Sequence, residues 1–320
     1  IYVDEGELLV GNQASRPRAA PIYPEYSSDW IVDEIDEFAQ RRADVYQVRP
    51  RVKEELLKEI LPYWRGKTLY DRVMAVLPEY VKMAQDIGVI SGRGNITSGD
   101  GHIIVDYPRL MKVGLEGIIA EAEDTLHALS PYDASETRKR PFLEAVGIAC
   151  RAAIRFAARY AEEAERQAVQ ERDPGRRAEL EDIAAVCRRV PAKPPRTFHE
   201  ALQSAWFIQL IQQIESNGHS FSMGRLDQYT YPCYRADVDA GRLTKERAIE
   251  LMECLWLKLF SVIKIRPWSH TRFGIGYPTY QNVTIGGLDC SGQDATNELS
   301  YLILHTMRET RLTQPNVSAR

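Results

Sequence analysis

No stretch of the 320 residues approaches the ~18 consecutive apolar residues of a membrane-spanning helix. No stretch reads as a signal peptide. Cysteine is scarce: five residues (Cys150, Cys187, Cys233, Cys254, Cys290), odd in number and never paired as C-x-x-C. That excludes a disulfide framework and a cysteine-rich metal site, and it fits a reducing cytoplasm. The six histidines are dispersed with no H-x-x-x-H pair, so no zinc site is expected. Neither sign of charge dominates. A net charge of −4 gives no electrostatic reason to expect nucleic acid or an anionic membrane as partner. Internal repeats and low-complexity tracts are also missing.

What is present is the composition of a soluble globular protein, 44% hydrophobic and 27% charged, long enough for one large domain or two ordinary ones. The chain opens on Ile1 rather than Met, so its N-terminus is expected to be incomplete. Residues 1–28 read as an irregular arm, with Leu8-Leu9-Val10 as a short strand. Ser28 is expected to cap a helix over 29–41 whose stripe is Trp30, Ile31, Ile35 and Phe38. Further helices are expected from Pro50, over 68–86 with a break at Pro78, and from Asp106-Tyr107-Pro108 to about Ala128. The long helix 137–172 carries Phe142, Val146, Ile148, Ile154 and Phe156 as its apolar side. Beyond Tyr160 it reads as a solvated outer helix, returned by Asp173-Pro174-Gly175 into 177–189.

Thr197-Phe198-His199-Glu200 reads as a capping box. The helix it starts is apolar around most of its circumference, so it is expected to be buried on several sides. Another apolar helix follows Thr244. Gln281-Asn282-Val283-Thr284-Ile285-Gly286-Gly287 is the clearest strand, Asp294 is expected to cap a helix over 295–308, and Gln314-Pro315-Asn316-Val317-Ser318-Ala319-Arg320 reads as the start of one more strand. Buried helices thus alternate with short strands, which favours a mixed α/β barrel or sheet with a pocket at its ends.

Three segments break the pattern of ordinary loops. Ile87 to Asp106 is rich in glycine (Gly88, Gly92, Gly94, Gly99, Gly101) and carries His102. Glu215-Ser216-Asn217-Gly218-His219-Ser220-Phe221-Ser222-Met223-Gly224-Arg225-Leu226-Asp227-Gln228-Tyr229 places serines, a histidine and an Arg-x-Asp pair on the end of the buried helix. Arg266 to Tyr280 holds Arg272 and Tyr277. Polar groups delivered to an interior are costly unless something pairs with them. Read without any relative, His102 is a loop histidine, Ser220 a turn hydroxyl, Tyr277 a turn residue, and Arg225 with Asp227 a structural ion pair bracing the loop. Cys254, in an apolar helix, reads as core packing.

The stretch 215–229 resembles a signature of glycyl radical enzymes of the pyruvate formate-lyase-like group. Other stretches agree in order: Gly11-Asn12 with Arg16-Pro17-Arg18; Tyr63-Trp64-Arg65-Gly66-Lys67-Thr68; Gly101-His102 with Asp106-Tyr107; Gly276-Tyr277-Pro278 with Gln281-Asn282 and Gly286-Gly287; Asp294 to Tyr301 with Leu312 to Asn316. The resemblance covers nearly the whole chain. It implies that residues 1–320 are the N-terminal part of one domain, a ten-stranded α/β barrel with many outer helices. In that family one finger loop carries a cysteine that becomes a thiyl radical, in a Gly-Cys-x-Glu setting. Another carries the radical-storing glycine. Neither setting occurs here, so both segments are expected beyond Arg320 and this chain alone is expected to be inactive.

The resemblance further implies a lyase that eliminates water from a small 1,2-diol, glycerol or 1,2-propanediol, to give an aldehyde. His102 is the implied catalytic residue, protonating or hydrogen-bonding the leaving hydroxyl. Ser220 and Tyr277 are the implied substrate contacts. No cofactor would be bound by this chain; the glycyl radical would be installed by a partner, an S-adenosylmethionine iron–sulfur activating enzyme. An anaerobic, cytoplasmic homodimer is implied. The alternatives are isethionate sulfite-lyase, with Arg93 or Arg272 on the sulfonate, choline trimethylamine-lyase, hydroxyproline dehydratase and formate acetyltransferase. A helical interaction protein built on 107–190 is the non-enzymatic alternative, and it has no need for three polar glycine loops.

Overall fold

The computed structural model describes residues 1–90, 99, 101–218, 220–272, 274–275 and 279–320. In chain order the helices are α1 (Asp29–Glu34), α2 (Pro50–Glu55), α3 (Leu61–Trp64), α4 (Leu69–Val76), α5 (Glu79–Asp86), α6 (Tyr107–Ala128), α7 (Ala134–Thr137), α8 (Arg140–Gln170), α9 (Pro174–Arg189), α10 (Phe198–Glu215), α11 (Leu226–Tyr229), α12 (Tyr231–Asp239), α13 (Lys245–Ser261), α14 (Trp268–Thr271) and α15 (Glu298–Thr310). A 3-10 turn, Phe38–Gln40, follows α1, and a π-helical turn, Leu56–Ile60, joins α2 to α3. Strands β1 (Gly224–Arg225), β2 (Asn282–Ile285) and β3 (Asn316–Ala319) form a sheet in that order. All are parallel, with Gly224 opposite Val283 and Val283 opposite Val317. Helices intervene between consecutive strands, as parallel pairing requires. The expected strands at 281–287 and 314–320 are therefore present.

Helix α10 is the centre of the molecule. Ala201, Leu202, Ala205, Trp206, Phe207 and Leu210 are all completely buried, and fully burying one large apolar side chain contributes about 1.5–3 kcal/mol. Leu255, Trp256 and Leu259 of α13 and Leu299 and Ile303 of α15 belong to the same core. The N-terminal start of α10 is half of the expected capping box. Thr197 Oγ1 accepts from the Glu200 amide at 3.2 Å, but the Glu200 carboxylate takes the Arg196 amide instead of that of Thr197.

Several expectations need correction. Leu8-Leu9-Val10 is not a strand: Gln203 of α10 replaces the neighbouring strand, its side-chain amide exchanging two 2.8 Å bonds with the Val10 backbone. Ser28 makes no side-chain cap at α1. Asn297, not Asp294, caps α15, while Asp294 closes a local turn onto the Thr296 amide.

The α8–α9 hairpin departs furthest. Phe142 and Ile148 are 70% and 66% exposed, whereas Ala157, Ala161, Ala164 and Ala168 are buried against Leu180, Ile183, Ala184 and Cys187 of α9. The apolar side beyond Tyr160 is made of alanines at helical spacing, and small side chains let two helices approach closely. The opposite side is solvated as expected, with exposed ion pairs such as Arg188–Glu165. Where α6 meets the connector before α10, Gly114 has φ +64°. A side chain there would lie 2.5 Å from the Ala192 carbonyl oxygen, while the flanking amide of Leu115 bonds the Pro191 carbonyl at 2.9 Å. Among the described residues no helix is long and apolar enough to cross a membrane.

Candidate active site

The unusual segments converge at the amino ends of the parallel strands. Ser222, two residues before β1, pairs in parallel with Ile104, and its amide donates to the Ile103 carbonyl at 3.0 Å. Two residues back along both chains stand His102 and Ser220. The Ser220 amide donates to the Thr279 carbonyl at 2.6 Å, and the Met223 amide to the Asn282 carbonyl at 2.9 Å. The 215–229 segment therefore lies between the segment carrying His102 and the entry to β2. Close approach of the first two depends on glycine. A Cβ on Gly218 would sit 2.8 Å from the Gly101 nitrogen and 3.0 Å from the Phe221 ring.

His102 is exposed and Ser220 is half-buried. Ser220 has φ +63°, a left-handed backbone that costs an L-residue roughly 1–2 kcal/mol. Such strain at a non-glycine position motivates a functional reading, though it does not by itself assign one. Tyr277, His219 and Arg93 lie outside the described residues. Arg272 is described and exposed.

The expected bracing ion pair is corrected. Among the described residues no ion pair joins Arg225 to Asp227. Arg225 Nη1 donates to the Leu288 carbonyl at 2.9 Å. The Asp227 carboxylate, fully buried, turns inward: one oxygen accepts from the Gly286 amide at 2.7 Å and the Ser300 hydroxyl at 2.5 Å. Asp227 opens α11 just after Arg225 ends β1, so the two side chains leave the junction toward different neighbours. Each braces the segment that follows β2, through separate bonds.

The end of α10 is held by a group that sequence reasoning did not single out. Lys264, 4% exposed, donates to the Tyr23 hydroxyl at 2.9 Å, to the Ser216 carbonyl at 2.8 Å and to the Gln213 carbonyl. A cation suits the negative end of a helix dipole. Burial, with Arg266 nearby, pushes its pKa well below the ordinary lysine value. Next along the chain, Asn217 donates to the Ile265 carbonyl and Arg266 donates to the Asn217 carbonyl, so the loop leaves α10 in a fixed direction. The signal available in the sequence was a lysine inside the apolar run Val262 to Ile265.

None of the helical cysteines suits a nucleophile. Burial raises the thiol pKa at Cys150, Cys187, Cys233 (to about 11) and Cys254. Cys254 is half-buried against the main core, as expected of a packing residue.

The pyruvate formate lyase-like family model matches residues 1–320. The chain belongs to that family. Probable dehydratase YbiW of Escherichia coli (strain K12) is 43% identical across 100% of this chain and 40% of its own length. The isethionate sulfite-lyase of Nitratidesulfovibrio vulgaris is 38% identical, again over 100% of this chain and 40% of the relative. The glycerol-bound B12-independent glycerol dehydratase of Clostridium butyricum superposes with TM-score 0.96 at 38% identity, covering 100% of this chain and 40% of that one. The chain thus spans about 40% of the length of the pyruvate formate lyase-like proteins it matches.

Proposed function

We propose that this chain supplies the hydroxyl-binding side of a glycyl radical lyase pocket, and that the protein eliminates water from a small 1,2-diol to give an aldehyde. The observation that carries the reading is the parallel pairing of Ile104 with Ser222, which sets the segment of His102 beside that of Ser220. In this reading His102 and Ser220 supply the two polar contacts that a small diol needs. A thiyl radical of the intact enzyme takes hydrogen from the carbon whose hydroxyl stays, that hydroxyl gives up its proton as the neighbouring one leaves as water, and the product radical takes the hydrogen back. His102 protonates or hydrogen-bonds the hydroxyl that leaves as water, a task suited to an imidazole at neutral pH. Ser220 orients the hydroxyl that stays. Tyr277 enters the reading from sequence alone, as a wall that keeps water out.

The glycerol dehydratase likeness supports the diol reading. The isethionate sulfite-lyase likeness is equal to it in identity, 38% each, so an anionic C–S substrate is the second reading. It would need an arginine in the pocket, for which Arg93 and Arg272 are the sequence candidates. The remaining elements of the proposal are a radical S-adenosylmethionine activating enzyme as partner and a homodimeric assembly.

The test is an assay of the intact, activated protein with 1,2-propanediol and glycerol, read as aldehyde, against isethionate and choline, read as sulfite and trimethylamine. Aldehyde from a diol, abolished by His102→Ala and reduced by Ser220→Ala, is the expected result. Sulfite from isethionate with no aldehyde overturns the diol reading.

A further inference from the structure

Helix α10 carries buried glutamines that an apolar core does not need. Gln209 is completely buried. Its side-chain oxygen accepts from the Tyr107 hydroxyl at 2.9 Å. Its nitrogen donates to the Phe221 carbonyl at 2.9 Å and to the side-chain oxygen of Gln281 at 3.0 Å. Gln281, also completely buried, donates in turn to the Leu259 carbonyl at 2.7 Å and to Thr279 Oγ1 at 3.0 Å. The Thr279 hydroxyl then donates to the side-chain oxygen of Gln314 at 2.9 Å. The chain Tyr107–Gln209–Gln281–Thr279–Gln314 runs in one direction, and both glutamines use both amide hydrogens. Turning the Gln209 amide over would point its oxygen at the Phe221 carbonyl and at the Gln281 oxygen, leaving buried acceptors unpaired at about 1–3 kcal/mol each. The network therefore has a single donor order.

Its members stand at the roots of the loops described above. Tyr107 opens α6, five residues after His102. Phe221 follows Ser220. Thr279 presents the carbonyl that holds the Ser220 amide. Gln314 precedes β3. A second tie runs through Tyr229, whose ring stacks on Tyr107 at 5.1 Å and whose hydroxyl donates to the Met223 carbonyl at 2.9 Å. The relay does not move protons near neutral pH: amides do not titrate there, and burial raises the Tyr107 pKa. What remains for it is placement.

We propose that Gln209 and Gln281 are positioning residues, whose relay locks the segments of His102, Ser220 and Thr279 in one relative register so that a substrate hydroxyl held by one is presented to the others. The functional half of this statement rests on the reading of His102 and Ser220 as substrate contacts. Hydrogen bonds in a buried chain polarise one another, so breaking one end weakens the rest. Independent buried bonds would behave additively.

The test uses the two nearly isosteric ends, Tyr107→Phe and Thr279→Val, singly and together in the intact protein, with Thr279→Ser as the conservative rescue. Amide exchange at Ser220, Ser222 and Met223 is read without substrate, and KM and kcat for the diol are read in the activated enzyme. Each end variant is expected to speed exchange at all three amides about tenfold. Exchange in the α8–α9 hairpin should not change. Each variant should raise KM more than it lowers kcat. The double variant should fall short of the product of the two singles, and Thr279→Ser should restore wild-type behaviour. Multiplicative effects of the two ends, or unchanged exchange at Ser220 and Ser222, overturn the relay. A wild-type protein that converts no diol overturns the proposed function instead, and the substrate-free exchange pattern still decides whether the relay couples the loops.

Discussion

The amide of Ser220 donates to the carbonyl of Thr279 at 2.6 Å, while Ser220 itself holds a left-handed backbone at φ +63°. The bond joins the loop leaving α10 to the entry of β2, and the residue making it is one whose side chain disfavours that conformation. A serine kept there costs stability that a glycine would recover in part.

Ser220→Gly and Ser220→Ala therefore separate strain from contact. Ser220→Gly is expected to be more stable than Ser220→Ala by about 1 kcal/mol, since only glycine relieves φ > 0. Both lack the hydroxyl, so both should lose diol turnover by a similar factor of about ten or more. Urea unfolding and kcat/KM check the two halves. A Ser220→Gly enzyme with full activity removes Ser220 from the site.

Asp227 and Arg225 are expected to differ sharply. Asp227→Ala strands the Gly286 amide and the Ser300 hydroxyl in the interior and should cost about 2–4 kcal/mol. Arg225→Ala gives up a single bond to the Leu288 carbonyl from a half-exposed side chain and should cost about 1 kcal/mol or less. Equal losses with strong coupling in the double variant would restore the ion pair that the sequence suggested.

Gly114→Ala is expected to destabilise by about 2–4 kcal/mol. It combines a positive φ with a clash against the Ala192 carbonyl oxygen, and backbone there cannot step aside as a flexible side chain would. Denaturant midpoints measure this. A neutral substitution would mean that the α6 kink is not held by the 190–193 connector.

His199 sets a pH dependence. Its Nε2 lies 2.7 Å from the Leu8 carbonyl, and burial depresses its pKa below the ordinary histidine value. The unfolded state then binds the proton more readily. Stability contributed by His199 is complete above the unfolded pKa of about 6.5 and is lost as pH falls toward the folded value. His199→Gln, able to keep the bond to Leu8, should flatten the decline in unfolding free energy between about pH 7 and pH 5. An unchanged slope would place the titrating group elsewhere.

The sequence by itself determined a good deal. Alternation of apolar helices with short β-branched runs specified a mixed α/β architecture, because a period of 3.6 and a period of 2 bury different faces. The strands at 282–285 and 316–319, the circumferential burial of α10 and the polar segments around His102 and Ser220 were all legible from residue type. So was the resemblance to the family to which the chain belongs. Local signals were weaker where several polar residues competed for one role: Asp294 lies three positions before the cap that Asn297 provides, and nothing in the sequence ranks the two.

Tertiary structure alone decided which polar groups meet. Arg225 and Asp227 read as a pair because they are two residues apart, yet the chain passes from strand to helix between them and sends them to Leu288 and to Gly286 with Ser300. Ile154 and Phe156 of α8 pack against the core as expected, but alanines take the place of Phe142 and Ile148 on its buried side, because packing of two helices rewards close approach as much as side-chain size. Gln209 and Gln281, 72 positions apart, carry no local pattern at all. A buried amide must find partners wherever the fold supplies them, and only the fold brought Tyr107, Phe221 and Thr279 to these two.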